Sequence, residues 1–175
     1  MTTPSFFGYG SLVNLNTHSY PAPRPARLSG WRRVWQQAST RPVAFLSVFE
    51  APGEIDGLIC DVPNGDWDAL DEREFAYNRI DISSQLGNNV AIYQANPEMV
   101  APPSTGHPIL LSYLDVVVQG FLTHFGEDGV REFFETTDGW GPIRDDRHDP
   151  IYPRHQRLTK AETSLVDHHL SMAVK

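Results

Sequence analysis

The chain has 175 residues and a mass of 19.7 kDa, enough to bury a core without disulfides or a structural metal. Hydrophobic residues make up 40% and charged residues 21%, which is typical of a globular protein and excludes a disordered or fibrous chain. The 22 acidic residues outnumber the 14 lysines and arginines, and the formal charge of −8 excludes nucleic-acid or membrane binding through a positive surface. A single cysteine, Cys60, excludes an internal disulfide. Residues 1–7 lack the features of a signal peptide, so we expect a cytoplasmic protein.

The first half of the chain is predicted to consist mainly of strands. Apolar or alternating runs between Gly, Pro and Asn turn residues predict strands at residues 5–9, 27–37, 43–49, 55–62, 78–83 and 90–94. Pro52-Gly53 predicts a turn between two of these strands, and Gly87-Asn88-Asn89 predicts a hairpin between the last two. The Pro-rich residues 20–25 are not expected in a helix or a central strand.

The second half is predicted to be helical. Apolar residues recur at helical spacing over residues 109–125, and polar interruptions exclude a membrane span. Further helices are predicted at 127–135 and from Thr159, where a capping box with Glu162 marks the start. A short helix is predicted at 66–75 in the first half. Together these elements predict an α+β fold, a small mixed or antiparallel barrel-like sheet with packed helices. We expect one domain over 1–175, sheet-rich over 1–95 and helical over 108–175.

The first candidate for function is the run Phe7-Gly8-Tyr9-Gly10-Ser11-Leu12. A strand that ends in a glycine-bracketed turn can direct several backbone N–H groups toward a carboxylate or phosphate. An ordinary turn is the commoner meaning of such a glycine pair. The run lacks the third glycine of a dinucleotide site, the lysine of a P-loop and the Gly-x-Ser-x-Gly elbow, which argues against Ser11 as a nucleophile.

The second candidate is Glu74, which shares one predicted helix face with Trp67 and Leu70. Partial burial beside these side chains would raise the pKa of the carboxyl group and suit it to general base catalysis. The alternative is an exposed helix on which Glu74 pairs with Arg73 or Arg79.

Other chemistry-bearing residues favour structural interpretations. The acidic and histidine residues of 145–155 and the pair His168-His169 include metal-ligand types, but their spacing matches no standard site, and a loop held by Asx turns is favoured. Trp31 and Trp35 lie on one side of a strand with Arg33 between them and are predicted to pack in the core or at an interface rather than line a pocket.

Several segments taken in order resemble gamma-glutamyl cyclotransferases. They are the Phe7–Leu12 run, Arg27-Leu28-Ser29-Gly30-Trp31-Arg32-Arg33, Gly57-Leu58-Ile59-Cys60-Asp61-Val62, Leu70-Asp71-Glu72-Arg73-Glu74 and Tyr77-Asn78-Arg79. The resemblance covers residues 6–94 and continues loosely through Ser112-Tyr113-Leu114. The segment Gly30-Trp31-Arg32-Arg33 is most similar to the ChaC-type, glutathione-degrading branch, whereas the tail from Gly139 has no counterpart there.

The resemblance implies a site without cofactor or metal. It assigns substrate binding to Tyr9, Gly10, Ser11, Leu12 and Tyr77, and the acid/base role to Glu74. The implied reaction converts a γ-glutamyl compound, whether glutathione, a γ-glutamyl peptide or a γ-glutamyl amine, into 5-oxoproline. Partners would be limited to this small molecule and, as an open alternative, a second copy in a homodimer.

Two other functions are kept open. The first is a non-catalytic module that binds a γ-glutamyl ligand, and the second is a metal-dependent hydrolase that uses the Asp145–His155 region. The long loop 139–155 is expected to border the pocket and tune the choice of leaving group through Arg144, Arg147 and Arg154.

Overall fold

The computed structural model describes residues 2–87 and 89–174. The strands are β1 (Ser5–Gly8), β2 (Arg24–Gln36), β3 (Phe45–Asp61), β4 (Tyr77–Asp81), β5 (Val90–Ala95), β6 (Ile109–Leu110), β7 (Thr137–Asp138) and β8 (Ile143–Arg144). The helices are α1 (Asp68–Arg73), α2 (Ser83–Leu86), α3 (Leu111–Glu135) and α4 (Lys160–Ala173). Within this part of the chain, no helix has both the length and the apolar character needed to cross a membrane.

The main sheet contains six strands in the order β4-β5-β1-β3-β2-β7. Strand β1 runs parallel to β5 and β2 parallel to β7, whereas the other pairs are antiparallel. The edge strands β4 and β7 do not pair with each other among the described residues, so the sheet is open. The predicted α+β architecture, with a mixed sheet and packed helices, is confirmed.

Strands β2 and β3 form one long hairpin, in place of the three separate strands predicted from the sequence. Register runs from the Arg24–Ile59 pair to the Gln36–Phe45 pair and shifts between Ser29 and Trp31. Residues 51–53 lie opposite this shift, where a β-bulge leaves residues unpaired, so Pro52 breaks no regular pairing. The predicted turn at Pro52-Gly53 is therefore wrong.

The predicted hairpin of β4 and β5 is confirmed, with pairing from Tyr77–Ala95 to Asp81–Ala91. Its connection contains the short helix α2 in addition to the predicted turn residues. Asn88, which belongs to that predicted turn, lies outside the described residues.

Helix α3 covers the sheet and combines the two helices predicted over 109–125 and 127–135. Its path is interrupted at Gly126, which has φ 69°, a left-handed value that favours glycine. At Gly120 an added Cβ would lie 2.8 Å from the backbone nitrogen of Asn14, so the helix approaches the turn after β1 closely. The Asn14 side chain donates to the Val116 carbonyl at 2.9 Å, which holds that turn against α3. Helix α4 packs on α3 and begins with the predicted Thr159–Glu162 capping box.

Candidate active site

The predicted site residues meet around one cavity at the end of β1. An inner part of about 30 Å³ is lined by Phe7, Tyr9, Gly10, Ser11, Leu12, Leu46, Glu74, Tyr77, Tyr93 and Tyr113. An outer part of about 130 Å³ is lined by Ser11, Arg41, Val43, Ala44, Phe45, Arg73, Glu74, Tyr77, Leu110, Tyr113, Tyr152 and Arg154. The two parts adjoin, because Ser11, Glu74, Tyr77 and Tyr113 border both of them.

The Tyr9–Leu12 turn follows β1 directly and forms one wall of the inner part. The Val13 N–H donates to the Gly10 carbonyl at 3.0 Å, and the next N–H donates to the Ser11 carbonyl at 3.0 Å. The N–H groups of Ser11 and Leu12 precede these bonds and are not used in them. A Cβ at Gly10 would lie 3.0 Å from the Tyr113 hydroxyl oxygen, so only a glycine fits here without displacing that side chain.

Arg33 stabilises the backbone at the start of this turn. Its side chain is fully buried, and its Nε donates to the Tyr9 carbonyl at 2.8 Å while one terminal nitrogen donates to the Thr136 hydroxyl at 2.9 Å. The guanidinium carbon lies 4.8 Å from the ring centroid of Phe121 and 5.1 Å from that of Phe133. Burial lowers the pKa of Arg33 to about 9, which still leaves it charged at neutral pH. The hydrogen bonds of a buried cation therefore hold the Tyr9 backbone in place.

The two tryptophans that flank Arg33 belong to the core. Trp31 is 3% exposed and Trp35 is 1% exposed, and neither lines the cavity. The prediction that they pack in the core is confirmed. Cys60 is also fully buried, and burial raises the pKa of its thiol to about 11, which disfavours the reactive thiolate.

Glu74 is the one carboxylate among the described residues that line the cavity. Its side chain is 16% exposed, and its carboxylate accepts no hydrogen bond from any residue in 2–87 or 89–174. The nearest cation is Arg73, whose Nε lies 3.7 Å from Oε1 of Glu74. Burial raises the pKa of Glu74, although the charges of Arg73, Arg41 and Arg154 oppose the shift. The carboxylate is thus desolvated and available to take a proton.

The cause of this burial differs from the predicted one. Helix α1 ends at Arg73, and Glu74 leaves the helical path with φ −103° and ψ 34°. The side chain therefore departs from the Trp67–Leu70 face. Trp67 packs on the guanidinium of Arg79, 4.3 Å from the ring centroid, and lines neither part of the cavity. Tyrosine side chains surround Glu74 instead.

Three of those tyrosines are held neutral beside Glu74. The Tyr9 hydroxyl donates to the Tyr93 carbonyl, and the Tyr77 hydroxyl donates to the Leu46 carbonyl at 2.6 Å. The pKa values of Tyr9, Tyr77 and Tyr113 are raised mainly by burial. The negative charge of Glu74 raises them further. These hydroxyls therefore remain protonated and act as hydrogen-bonding groups.

Arg73 connects the carboxylate to the turn region. Its guanidinium donates to the Thr17 carbonyl at 2.9 Å and to the Ser11 hydroxyl at 3.3 Å. The Glu74–Arg73 pair, which was part of the alternative interpretation, is present as an ionic contact of 3.7 Å. Arg79 instead pairs with Asp71 at 2.7 Å.

The sequence interpretation missed residues in both parts, among them Tyr93 and Tyr113 in the inner part and Arg41 and Tyr152 in the outer part. Tyr113 lies within Ser112-Tyr113-Leu114, the last stretch of the resemblance, and that position is the signal that could have identified it. Arg41 and Tyr152 lie in irregular segments, where neither periodicity nor a motif marks a side chain that faces a cavity.

A family model described as "Gamma-glutamyl cyclotransferase, AIG2-like" matches residues 6–113, more than half of the chain. The chain belongs to this family. Its members are gamma-glutamyl cyclotransferases, enzymes that act on small γ-glutamyl compounds. No curated protein matches the sequence significantly.

Solved structures share the fold of this gamma-glutamyl cyclotransferase family member at low identity. One named "Gamma-glutamyl cyclotransferase" is 14% identical over 95% of this chain and 99% of its own, with a TM-score of 0.58. The uncharacterized protein loc79017 from Homo sapiens is 14% identical with the same coverage and a TM-score of 0.57. YkqA from Bacillus subtilis is 15% identical over 79% of this chain and 57% of its own, with a TM-score of 0.58.

Beyond the residues matched by the family model, the segment 139–158 is attached to α3 beside the cavity. The Asp146 carboxylate accepts from the backbone N–H groups of Ser112 and Ile151, both at 2.8 Å. Among the residues described, no group of three or more His, Cys, Asp or Glu side chains is arranged to hold a metal ion. The acidic residues Asp145 and Asp146 therefore serve as local hydrogen-bond acceptors.

Of the three arginines expected to tune the leaving group, only Arg154 lines the cavity. Arg147 faces α3 and α4 instead, with a bidentate pair to Asp115 at 2.8 and 2.7 Å and a contact to Asp167 at 2.9 Å.

Arg147→Gln is expected to destabilise the fold, because it would leave the nearly buried carboxylate of Asp115 without a cation. We expect a loss of about 1–3 kcal/mol in the free energy of unfolding, measured by urea denaturation. Arg131→Gln, which removes an exposed pair with Asp128, is the control and should change stability by less than about 0.5 kcal/mol. Equal stabilities of the two variants would contradict this role.

Proposed function

We propose that this protein converts γ-glutamyl compounds to 5-oxoproline and a free amine, without a cofactor, with Glu74 as the general acid/base. The observation that carries the proposal is the position of Glu74, a desolvated carboxylate that accepts no hydrogen bond and lies in the same cavity as the Tyr9–Leu12 turn. Membership of the gamma-glutamyl cyclotransferase family supports the same reaction class. We further propose that the reaction takes place in the cytoplasm.

The proposed reaction is intramolecular. The α-amine of the γ-glutamyl group attacks its own γ-carbonyl carbon, forming a C–N bond and closing a five-membered ring. The bond between that carbon and the leaving nitrogen then breaks, and the products are 5-oxoproline and the amine. The enzyme's main task is to hold the folded conformer in which nitrogen and carbonyl carbon are close.

Proton transfer is the second task. The α-amine must lose a proton to attack, and the leaving nitrogen must gain one to depart as an amine. A carboxylate with a raised pKa can take the first proton and deliver it to the second nitrogen. The position of Glu74 between the inner and outer parts supports this role, because a scissile bond at the junction would be within reach of one carboxylate.

The inner part is proposed to hold the γ-glutamyl group. The backbone N–H groups of Ser11 and Leu12, on the wall of the inner part, suit its α-carboxylate. The ring of Tyr77 and the side chain of Leu12 would enclose the methylene groups. The Gly10 backbone, packed against Tyr113, would allow the ligand to lie close to the turn.

The experiment is a product assay on the purified protein with glutathione, γ-glutamyl dipeptides and γ-glutamyl amines, with and without EDTA. We expect 5-oxoproline from at least one class, at a rate that EDTA does not change. Ligand binding without product would favour a binding module, and loss of product with EDTA would favour a metal-dependent enzyme. Either result would overturn the proposal.

A further inference from the structure

The outer part of the cavity is positively charged, although the whole chain carries a formal charge of −8. Its described lining residues include Arg41, Arg73 and Arg154 against one carboxylate, that of Glu74. Arg73 is already engaged with Glu74, Ser11 and Thr17. Two positive charges therefore remain without a counter-charge on the wall of this part.

Arg41 is held in place without being neutralised. Its guanidinium carbon lies 4.7 Å from the ring centroid of Phe75, 5.3 Å from that of Phe45 and 5.9 Å from that of Tyr77. Such cation–π contacts restrict the side chain and leave its N–H groups free to donate. Arg41 is half-buried beside the cavity, so an anion that enters can reach it.

Arg154 lies on the segment 139–158, beyond the residues that the family model matches. The hydrogen bonds of Asp146 and the ion pairs of Arg147 attach this segment to α3, close to Tyr113. Neither Arg154 nor Arg41 forms an ion pair with any Asp or Glu in 2–87 or 89–174. Most of the other arginines in the described residues do form ion pairs, among them Arg24, Arg27, Arg32, Arg79, Arg131 and Arg147.

We propose that Arg41 and Arg154 bind a carboxylate on the leaving amine, so that the substrates are γ-glutamyl amino acids or peptides rather than γ-glutamyl amines without a carboxylate. The inference rests on the proposed function. If the γ-glutamyl group occupies the inner part and the scissile bond lies at Glu74, the leaving amine extends into the outer part. Guanidinium groups form strong charge-assisted hydrogen bonds with carboxylates, which makes a carboxylate the best-matched anion.

The test compares γ-glutamylglycine with γ-glutamylmethylamide, two substrates that differ by the carboxylate of the leaving amine. The kcat/KM for 5-oxoproline formation is measured for the wild type, Arg41→Gln/Arg154→Gln and Arg144→Gln. The third protein is the matched control, because Arg144 is exposed and does not line the cavity. The readout is the ratio of the two kcat/KM values. Any change in the pKa of Glu74 that results from removing the charges of Arg41 and Arg154 is the same for both substrates and cancels in the ratio.

We expect the wild type and Arg144→Gln to favour γ-glutamylglycine by about tenfold or more. In the double variant the ratio should fall below about twofold. An equal loss on both substrates would mean that the arginines bind the γ-glutamyl part and would overturn the inference, as would a wild type without preference.

A binding measurement separates this inference from the proposed function. The dissociation constants of both compounds are measured by calorimetry on the wild type and the double variant, in Glu74→Gln backgrounds that suppress turnover. If no protein forms 5-oxoproline but the carboxylate-dependent preference appears in binding, the proposed function fails and the subsite stands. If neither turnover nor preferential binding is found, both fail.

Discussion

Glu74→Gln is expected to lower the turnover of γ-glutamyl substrates by about a hundredfold or more, the usual contribution of a positioned acid/base. Glutamine keeps the size and hydrogen-bonding reach of the side chain but cannot take a proton. Ligand affinity should change far less, because the Tyr9–Leu12 turn and the surrounding tyrosines remain. The measurements are kcat from 5-oxoproline release and Kd by calorimetry. A folded variant with nearly normal kcat would contradict the acid/base role.

The fold should tolerate this substitution. Burial raises the pKa of Glu74, so the folded state binds the proton more tightly than the unfolded state. At a pH above both values such a group lowers stability, and replacing it with a neutral amide should not reduce the free energy of unfolding. Glu72→Gln is the matched control: Glu72 is exposed two residues earlier and outside the cavity, and its replacement should leave kcat unchanged.

The pH profile offers a second readout of the same residue. Glu74 must be deprotonated to accept a proton, so kcat/KM should fall as the pH drops through its pKa. Because burial raises that pKa, the fall should begin at a higher pH than for an ordinary glutamate, which has a pKa of about 4.3. Glu74→Gln should lose this acidic limb. An acidic limb that persists in the variant would assign it to another group.

Gly10→Val is expected to lower kcat/KM by about a hundredfold, mainly through a higher KM. The new Cβ would lie 3.0 Å from the Tyr113 hydroxyl and 3.4 Å from Cδ1 of Leu46, and its methyl groups would extend into the inner part. A displacement of about 1 Å in a positioning element is enough for an effect of this size. The check combines steady-state kinetics with a calorimetric Kd for a γ-glutamyl ligand.

Gly106→Val is the control for a general cost of β-branching. A Cβ there would approach only the Ser104 hydroxyl, at 3.9 Å, and Gly106 does not line the cavity. We expect normal kinetics from this variant, and a melting temperature for Gly10→Val within a few degrees of the wild type. If Gly10→Val binds the ligand as tightly as the wild type, the turn does not hold the substrate.

The elements with regular patterns could be predicted from the sequence. The capping box at Thr159 and the β4–β5 pairing were recognised because their signals are local. The prediction of a turn at Pro52-Gly53 is wrong, because both residues lie within β3, opposite a β-bulge. The position of that bulge depends on how β3 pairs with β2. The types of residue at a possible turn do not determine the register in which a strand pairs with its partner.

The site was predictable only where a motif carried it. The run Tyr9–Leu12 and Glu74 stand out by their local residue patterns, the family resemblance assigns their roles, and the structure brings them to one cavity. Arg41 and Tyr152 could not be predicted to line the cavity, because they lie in irregular segments whose positions depend on tertiary contacts. The burial of Glu74 also had an unpredicted cause, since the end of α1 turns its side chain away from Trp67.

The most direct test of the account is the fate of γ-glutamylglycine in water enriched in ¹⁸O. Cyclisation forms the new C–N bond from the substrate's own amine, so no oxygen enters from solvent. We expect 5-oxoproline without ¹⁸O, together with one equivalent of glycine, from the wild type and far less from Glu74→Gln. Glutamate that carries ¹⁸O, or no product at all, would contradict the account.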